Sequence, residues 1–267
     1  MEPRTTLPLD ILLYIIDLLA RDDKEDGDKK SLQVLSQACK SMVPLCRKHL
    51  ISSLRLHSKL DSESFSNLVS KNPDIASYVR SLNYKVDNPT DHDLIILDML
   101  KERSSLQSIK LLSPPVLESY WNSFSESISA WNNFSQSIRS SLVSLIQLPT
   151  VTHLDIHFFR GFPATVLSGC GNLIDLQLGE LELVPREDIQ VISRSKIPTP
   201  VSLYIKTKTY GLAVLLHSAS LHAGGPIVDF SRLHKASFDV EFQGDIDQVN
   251  ELIKVTTRLE YLYLTSE

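Results

Sequence analysis

Cysteine, tryptophan and long apolar runs are all scarce in this 267-residue chain. The three cysteines, Cys39, Cys46 and Cys170, lie apart, without the paired spacing of a metal site. Cys39 and Cys46 fall on apolar helical faces, so they read as reduced core residues of a cytoplasmic or nuclear protein. No apolar stretch reaches the ~20 residues that a membrane-spanning helix needs, so no membrane partner is expected. The first apolar stretch is interrupted by Asp10 and Asp17 and is followed by no small-x-small cleavage site, unlike a signal peptide. A net charge of −5 supplies no global basic field, so nucleic acid is not an expected partner. The phosphate-cradling, dinucleotide-binding, nucleophile-elbow and zinc-protease motifs are absent, and Gly224-Gly225-Pro226 reads as a turn. The chain therefore reads as a non-enzyme with no cofactor.

What is present begins at Leu7-Pro8, which opens the run LPLDILLYIIDLLA. Proline lacks an N–H, which costs nothing in the first turn of a helix, and its φ suits the helix start. Asp10 places a carboxylate near the positive end of that helix. Leu12, Ile15, Ile16 and Leu19 recur at three- and four-residue spacing and predict one buried face. Ile11, Leu13 and Leu18 widen that face beyond what a surface helix needs, which suggests a second apolar contact with another chain. The run RDDKEDGDKK (21–30) reads as a solvated loop. A second helix then carries Leu32, Leu35, Cys39 and Met42 on one face. Pro44 is expected to end it and to start a third, with Leu45, Cys46 and Leu50 inward, running into the strand-like SSLRLHS.

The pattern of Leu7-Pro8, Asp10-Ile11-Leu12 and Ile15, a charged loop, then Leu32, Leu35 and Ala38-Cys39-Lys40, resembles an F-box. The ending RKHLISSLRL is similar to the exits of many fungal F-box-like proteins. The resemblance covers about residues 7–57. It implies three short helices that dock onto a Skp-type adaptor in a cullin ubiquitin ligase, with Leu7, Pro8, Leu12, Ile15, Leu19, Leu32 and Leu35 at or directly supporting the contact. The residues themselves also fit an ordinary helical cap on the domain that follows.

Beyond residue 57 the chain repeats itself irregularly. Pieces of the form L-x-x-L-x-L, or looser relatives, centre on Leu82, Ile109, Leu154, Leu176, Leu203, Ala236 and Leu262. The intervals between them are mostly in or near the ~20–29 residues of leucine-rich repeats, the exception being the 45 between Ile109 and Leu154. A strand buries every second side chain, so the L-x-L positions point inward. Helical patterns such as Leu94, Leu97, Leu100 and Val249, Leu252, Ile253 lie between the strands. The expectation is an α/β fold, an irregular leucine-rich-repeat-like βα solenoid over 58–267 with a parallel sheet. A doubly wound α/β domain is the other architecture this alternation allows. The long interval carries a predicted amphipathic helix at about 115–148, built on Leu117, Trp121, Phe124, Ile128, Trp131 and Ile138 and extended by Leu142, Leu145 and Leu148. Both tryptophans fall there and are expected to pack on the convex side. The final strand, Leu259 to Leu264, is expected to be uncapped, from a truncated product or as a sticky edge.

These readings combine into a non-catalytic adaptor: an N-terminal module (1–57) docked on a ligase scaffold, and a repeat domain holding a target protein for ubiquitin transfer. A repeat-built interaction scaffold without a ligase link is the alternative. The expected target-binding strip comprises Asn83, Lys85, Lys110, Asp155, His157, Gln177, Tyr204, Lys206, Asp239, Glu241 and Tyr263, the outward partners of the buried positions. His153, Asp155 and His157 share one strand face, but a metal would need a third ligand from elsewhere, and no metal site is assigned.

Overall fold

The computed structural model describes residues 8–21, 27–38, 40–113, 131–185, 197–206, 209, 212–217 and 226–266. Leu7, Cys39, Trp121 and the 114–130 part of the predicted amphipathic helix lie outside the described residues.

Three helices open the chain: α1 (Leu9–Arg21), α2 (Gly27–Ala38) and α3 (Met42–Leu50). Pro8 accepts hydrogen bonds from the Ile11 and Leu12 amides and so starts α1. α2 begins at Gly27, inside the segment expected to be loop, and α3 begins two residues before Pro44. The proline sits in the first turn of α3, where a missing N–H leaves no bond unmade. Ile16, Leu32, Met42 and Cys46 form a small core, with Leu12, Leu19, Leu35, Leu45 and Leu50 packed around it. His49 Nε2 lies 3.1 Å from Asp17 Oδ1 and ties α3 to α1.

A second, much larger core belongs to an eight-stranded sheet: β1 (Ser53–Leu56), β2 (Ser81–Lys85), β3 (Ser108–Leu112), β4 (His153–His157), β6 (Asp175–Gly179), β8 (Ser202–Ile205), β9 (Lys235–Asp239) and β10 (Tyr261–Thr265). Each pair of neighbours is parallel, and the spatial order follows the chain. A doubly wound sheet reverses its strand order at a switch point; this one does not. Because β1 joins the sheet, the sheet begins before residue 57, and the boundary between the two cores falls just before β1.

Parallel neighbours require a crossover. α4 (Lys59–Lys71), α5 (Asp91–Arg103), α6 (Gln136–Ile146), α7 (Leu212–His217) and α8 (Gln243–Val255) supply most of them, with shorter 3₁₀ turns elsewhere. Three helix starts share one device. Asp61, Asp93 and Asp245, each at the third helical position, accept the amide N–H of Ser58, Thr90 and Phe242 at 2.9, 2.7 and 3.0 Å. This satisfies a backbone donor that a helix start leaves free. Asp93 is buried and also accepts the Ser62 hydroxyl at 2.6 Å, which joins α5 to α4.

Strand entry repeats as regularly. The amides of Arg80, Gln107 (to Arg80), Thr152, Ile174, Val201, His234 and Glu260 each donate to a carbonyl at the previous strand's entry, beginning at Ser52, over 2.7–2.9 Å. Inside, Leu54, Leu82, Ile109, Leu154, Leu176, Leu203 and Ala236 form one buried register row. Each fully buried leucine contributes about 1.5–3 kcal/mol.

The 3₁₀ turn Trp131–Asn133 and α6 are separated by Phe134 and Ser135, whose hydroxyl accepts the Ile138 amide at 3.3 Å. The predicted continuous helix is therefore interrupted between Trp131 and Ile138. Trp131 is buried among Phe134, Phe159 and Phe162. Short strands β5 (Phe162–Pro163) and β7 (Leu183–Val184) pair in parallel beyond β4 and β6. Phe158 and Glu180, at the exits of β4 and β6, take left-handed φ values of 65° and 49°, so two successive units turn alike. Among the described residues β10 pairs with β9 alone, and its Leu262 and Leu264 are exposed.

Candidate functional site

Two surfaces carry features that packing does not explain. On α1 (Leu9–Arg21), Ile11, Tyr14, Ile15 and Leu18 follow helical spacing along a side next to the one that carries Leu12, Ile16 and Leu19. All four are exposed, as are Leu9 and Leu13, with Leu9 at 58% and Tyr14 at 63%. Val34 of α2 is exposed as well. Contiguous exposed apolar side chains of this kind mark contact surfaces. Of the residues the sequence assigned to docking, Pro8 and Ile15 lie at this surface. Leu12, Leu19 and Leu35 are half-buried against the small core, and Leu32 is buried within it. Leu32 can therefore only support a docking face from beneath. Leu9, Tyr14 and Val34 were not singled out. Tyr14 had a signal in sequence, since it lies three residues after Ile11 and four before Leu18 on the surplus apolar stripe.

The second surface is the outer face of the sheet. Register aligns Arg55, Asn83, Lys110, Asp155, Gln177, Tyr204, Ser237 and Tyr263 in one row. A parallel row holds Lys85, Leu112, His157 and Gly179, then Asp239 and Thr265, with Lys206 just past the end of β8. A third row includes Ser108, His153, Asp175, Ser202, Lys235 and Tyr261. The expected strip residues on the strands are thus brought together. Glu241 is not: it lies in the loop before α8, where its amide donates to Asp245 at 3.0 Å. Arg55 and Ser237 belong to the strip and were missed, although alternation in SLRL and KASFD places them there.

The centre of this face is internally paired. Lys110 Nζ lies 2.6 Å from Asp155 Oδ2, and His157 Nε2 contacts Asp155 Oδ1. His157 is only 5% exposed, so it is a buried support rather than a free contact residue. Burial alone would raise the Asp155 carboxyl, but hydrogen bonds from His157 and Lys110 and their positive charge together hold it below the ordinary carboxylate value. His153 Nε2 lies 2.7 Å from Asp175 Oδ2. The two imidazoles of β4 thus turn to different carboxylates, not to a shared point. Among the described residues no group of three or more His, Cys, Asp or Glu could hold a metal.

Gly179 is fitted to this pairing. A Cβ there would stand 2.1 Å from His157 Nδ1. Gly179→Ala is expected to displace the ring and lower stability by about 1–3 kcal/mol, as overpacking does. Gly244→Ala meets nothing within 4 Å and serves as the thermal-melt comparison.

Towards β10 the face opens into a cavity of about 470 Å³ lined by Gln177, Ser202, Leu203, Tyr204, Lys235, Ser237, Tyr263 and Thr265. The Tyr204 hydroxyl donates to Asp239 Oδ2 at 3.1 Å, and Thr265 also donates to Asp239. Lys235 Nζ lies 5.6 Å from the centre of the Tyr263 ring, a cation–π placement.

No protein-family model matches the chain. No curated protein matches it either.

Among the described residues, no helix is long and apolar enough to cross a membrane. Cys46 and Cys170 are both buried. Burial pushes the Cys170 thiol up to about 12, which leaves it un-ionised and a poor nucleophile at neutral pH.

Proposed function

We propose that the chain is a substrate-recognition adaptor of a cullin-type ubiquitin ligase. The three N-terminal helices form an F-box-like module that docks a Skp-type adaptor. The sheet, read as a leucine-rich-repeat-like solenoid, holds a target protein on its outer face. In this role the chain performs no bond chemistry. It raises the effective concentration of target lysines near a conjugating enzyme carried by the same scaffold.

The observation that carries this reading is the apolar stripe on α1, exposed on a helix that already has its own buried side. One stripe builds the module and the other is free to bind. The one-directional parallel sheet, with strand order following the chain, supports the solenoid reading.

The test is co-purification with a Skp-type adaptor. Ile11→Glu with Leu18→Glu places two charges on the free stripe and leaves Ile16, Leu32, Met42 and Cys46 in place. Each apolar anchor lost from the centre of an interface costs ~2 kcal/mol or more, so binding is expected to fall by at least a hundredfold. Circular dichroism should remain that of the parent. Undiminished adaptor binding by the double variant would leave the interaction scaffold without a ligase link as the better description.

A further inference from the structure

The outer sheet face carries five cations on or at the end of its strands, Arg55, Lys85, Lys110, Lys206 and Lys235, against three carboxylates, Asp155, Asp175 and Asp239. The chain as a whole is at −5, so this face runs against its overall charge. All three carboxylates are engaged within the face: Asp155 by Lys110 and His157, Asp175 by His153, Asp239 by Tyr204 and Thr265. Of the cations only Lys110 has an acidic partner there. Arg55, Lys85, Lys206 and Lys235 make no ion pair among the described residues.

We infer that this face binds an extended acidic polypeptide segment. The inference rests on the reading of the sheet face as the capture surface, not on the ligase link. The free cations fall into two groups, Arg55 with Lys85 at one end and Lys206 with Lys235 at the other. Lys85 and Lys206 flank the same register row, with Leu112, His157 and Gly179 between them. Four strand spacings of ~4.8 Å separate them, or about 19 Å. An extended chain advances ~3.3 Å per residue, so acidic side chains about six residues apart reach both groups. Between the groups Lys110, Asp155 and His157 are already paired with one another, and this stretch suits neutral peptide. The cavity beside Lys235, walled by Tyr204 and Tyr263, gives one end of the segment a recess. A nucleic acid fits less well. Its phosphates are evenly spaced, and the middle of the strip would set Asp155 and Asp175 against them.

The probe is a fluorescein-labelled peptide with two Glu-Glu pairs separated by five Ser, Ala and Gly residues. It is titrated with the full chain and followed by anisotropy at low and at moderate salt. Saturable, salt-sensitive binding is expected, at least tenfold tighter than for the peptide with Gln in place of Glu. Lys206→Glu with Lys235→Glu should weaken it at least tenfold, while Lys101→Glu, on the exposed last turn of α5, should change it less than twofold. No binding, equal binding of the Gln peptide, tighter binding of a twelve-nucleotide oligouridylate, or an unchanged affinity in the folded charge-reversal variant would each overturn the inference. Adaptor co-purification reads α1 separately, so a failed ligase link and a failed acidic-segment assignment give different results.

Discussion

Trp131→Ala is expected to lower the unfolding free energy by about 3–5 kcal/mol, the range for deleting a large buried aromatic side chain. The indole is 2% exposed. It meets Phe162 at 4.9 Å between ring centres, and Phe134 and Phe159 at 6.2 Å each, all edge-on. Such pairs add ~0.5–1.5 kcal/mol beyond the area they bury. Phe159 and Phe162 follow β4, whereas Trp131 and Phe134 precede α6, so the ring joins two successive crossovers. The Trp131 amide reinforces the joint by donating to the Arg160 carbonyl at 2.9 Å. The neighbours are rings fixed on different segments and cannot collapse fully into the space left behind. Urea unfolding of the full chain checks this, with Trp131→Phe expected to lose less than half as much. A change below about 1 kcal/mol for alanine would show that the cluster is not part of the stable core.

Asp155→Ala is expected to cost about 3 kcal/mol, because it leaves buried His157 and half-exposed Lys110 without their shared carboxylate. In the sequence Asp155 reads only as a residue of the outward target-binding strip, with no structural role. The same carboxylate gives the fold an acid dependence. Its folded-state pKa is held below the ordinary value of 3.8, so the unfolded chain binds the proton more readily. The stabilisation is therefore complete above that ordinary value and is lost as pH falls through the folded-state pKa. Thermal melts from pH 7 to pH 3 should show the parent losing stability at the acid end, and Asp155→Ala narrowing its deficit there. A deficit constant across that range would contradict the pairing.

Reading along the chain, all seven L-x-L pieces became strands, and SSLRLHS became an eighth. In β1 to β9 of the large sheet the buried positions are legible because alternation has a period of two, whereas in β10 the expected inward Leu262 and Leu264 are exposed. The helix N-termini were less legible. Asp61, Asp93 and Asp245 act through backbone amides three residues earlier, which neither alternation nor helical spacing reveals. The break after Trp131 was also hidden. Its apolar spacing is helical across the interruption, and only the packing of Trp131 against rings of the following unit sets it in a 3₁₀ turn apart from α6.

Local composition alone determined that the chain would form short strands alternating with helices, and that α1 would have more apolar surface than one core needs. Periodicity is a property of neighbouring residues, so sequence is enough to reveal it. Which side of α1 is used, and which outward groups are free, was decided only in three dimensions. Leu32 and Ile15 look alike as letters, yet one is buried and the other exposed because α2 and α3 close over one side of α1. Asp155, Lys110 and His157 come from two strands joined by a crossover of some forty residues, and their pairing exists only once β3 and β4 are in register. Charge on the outer face follows the same rule: the cations can be counted in the sequence, but which of them lack an acidic partner depends on contacts between strands distant in the chain.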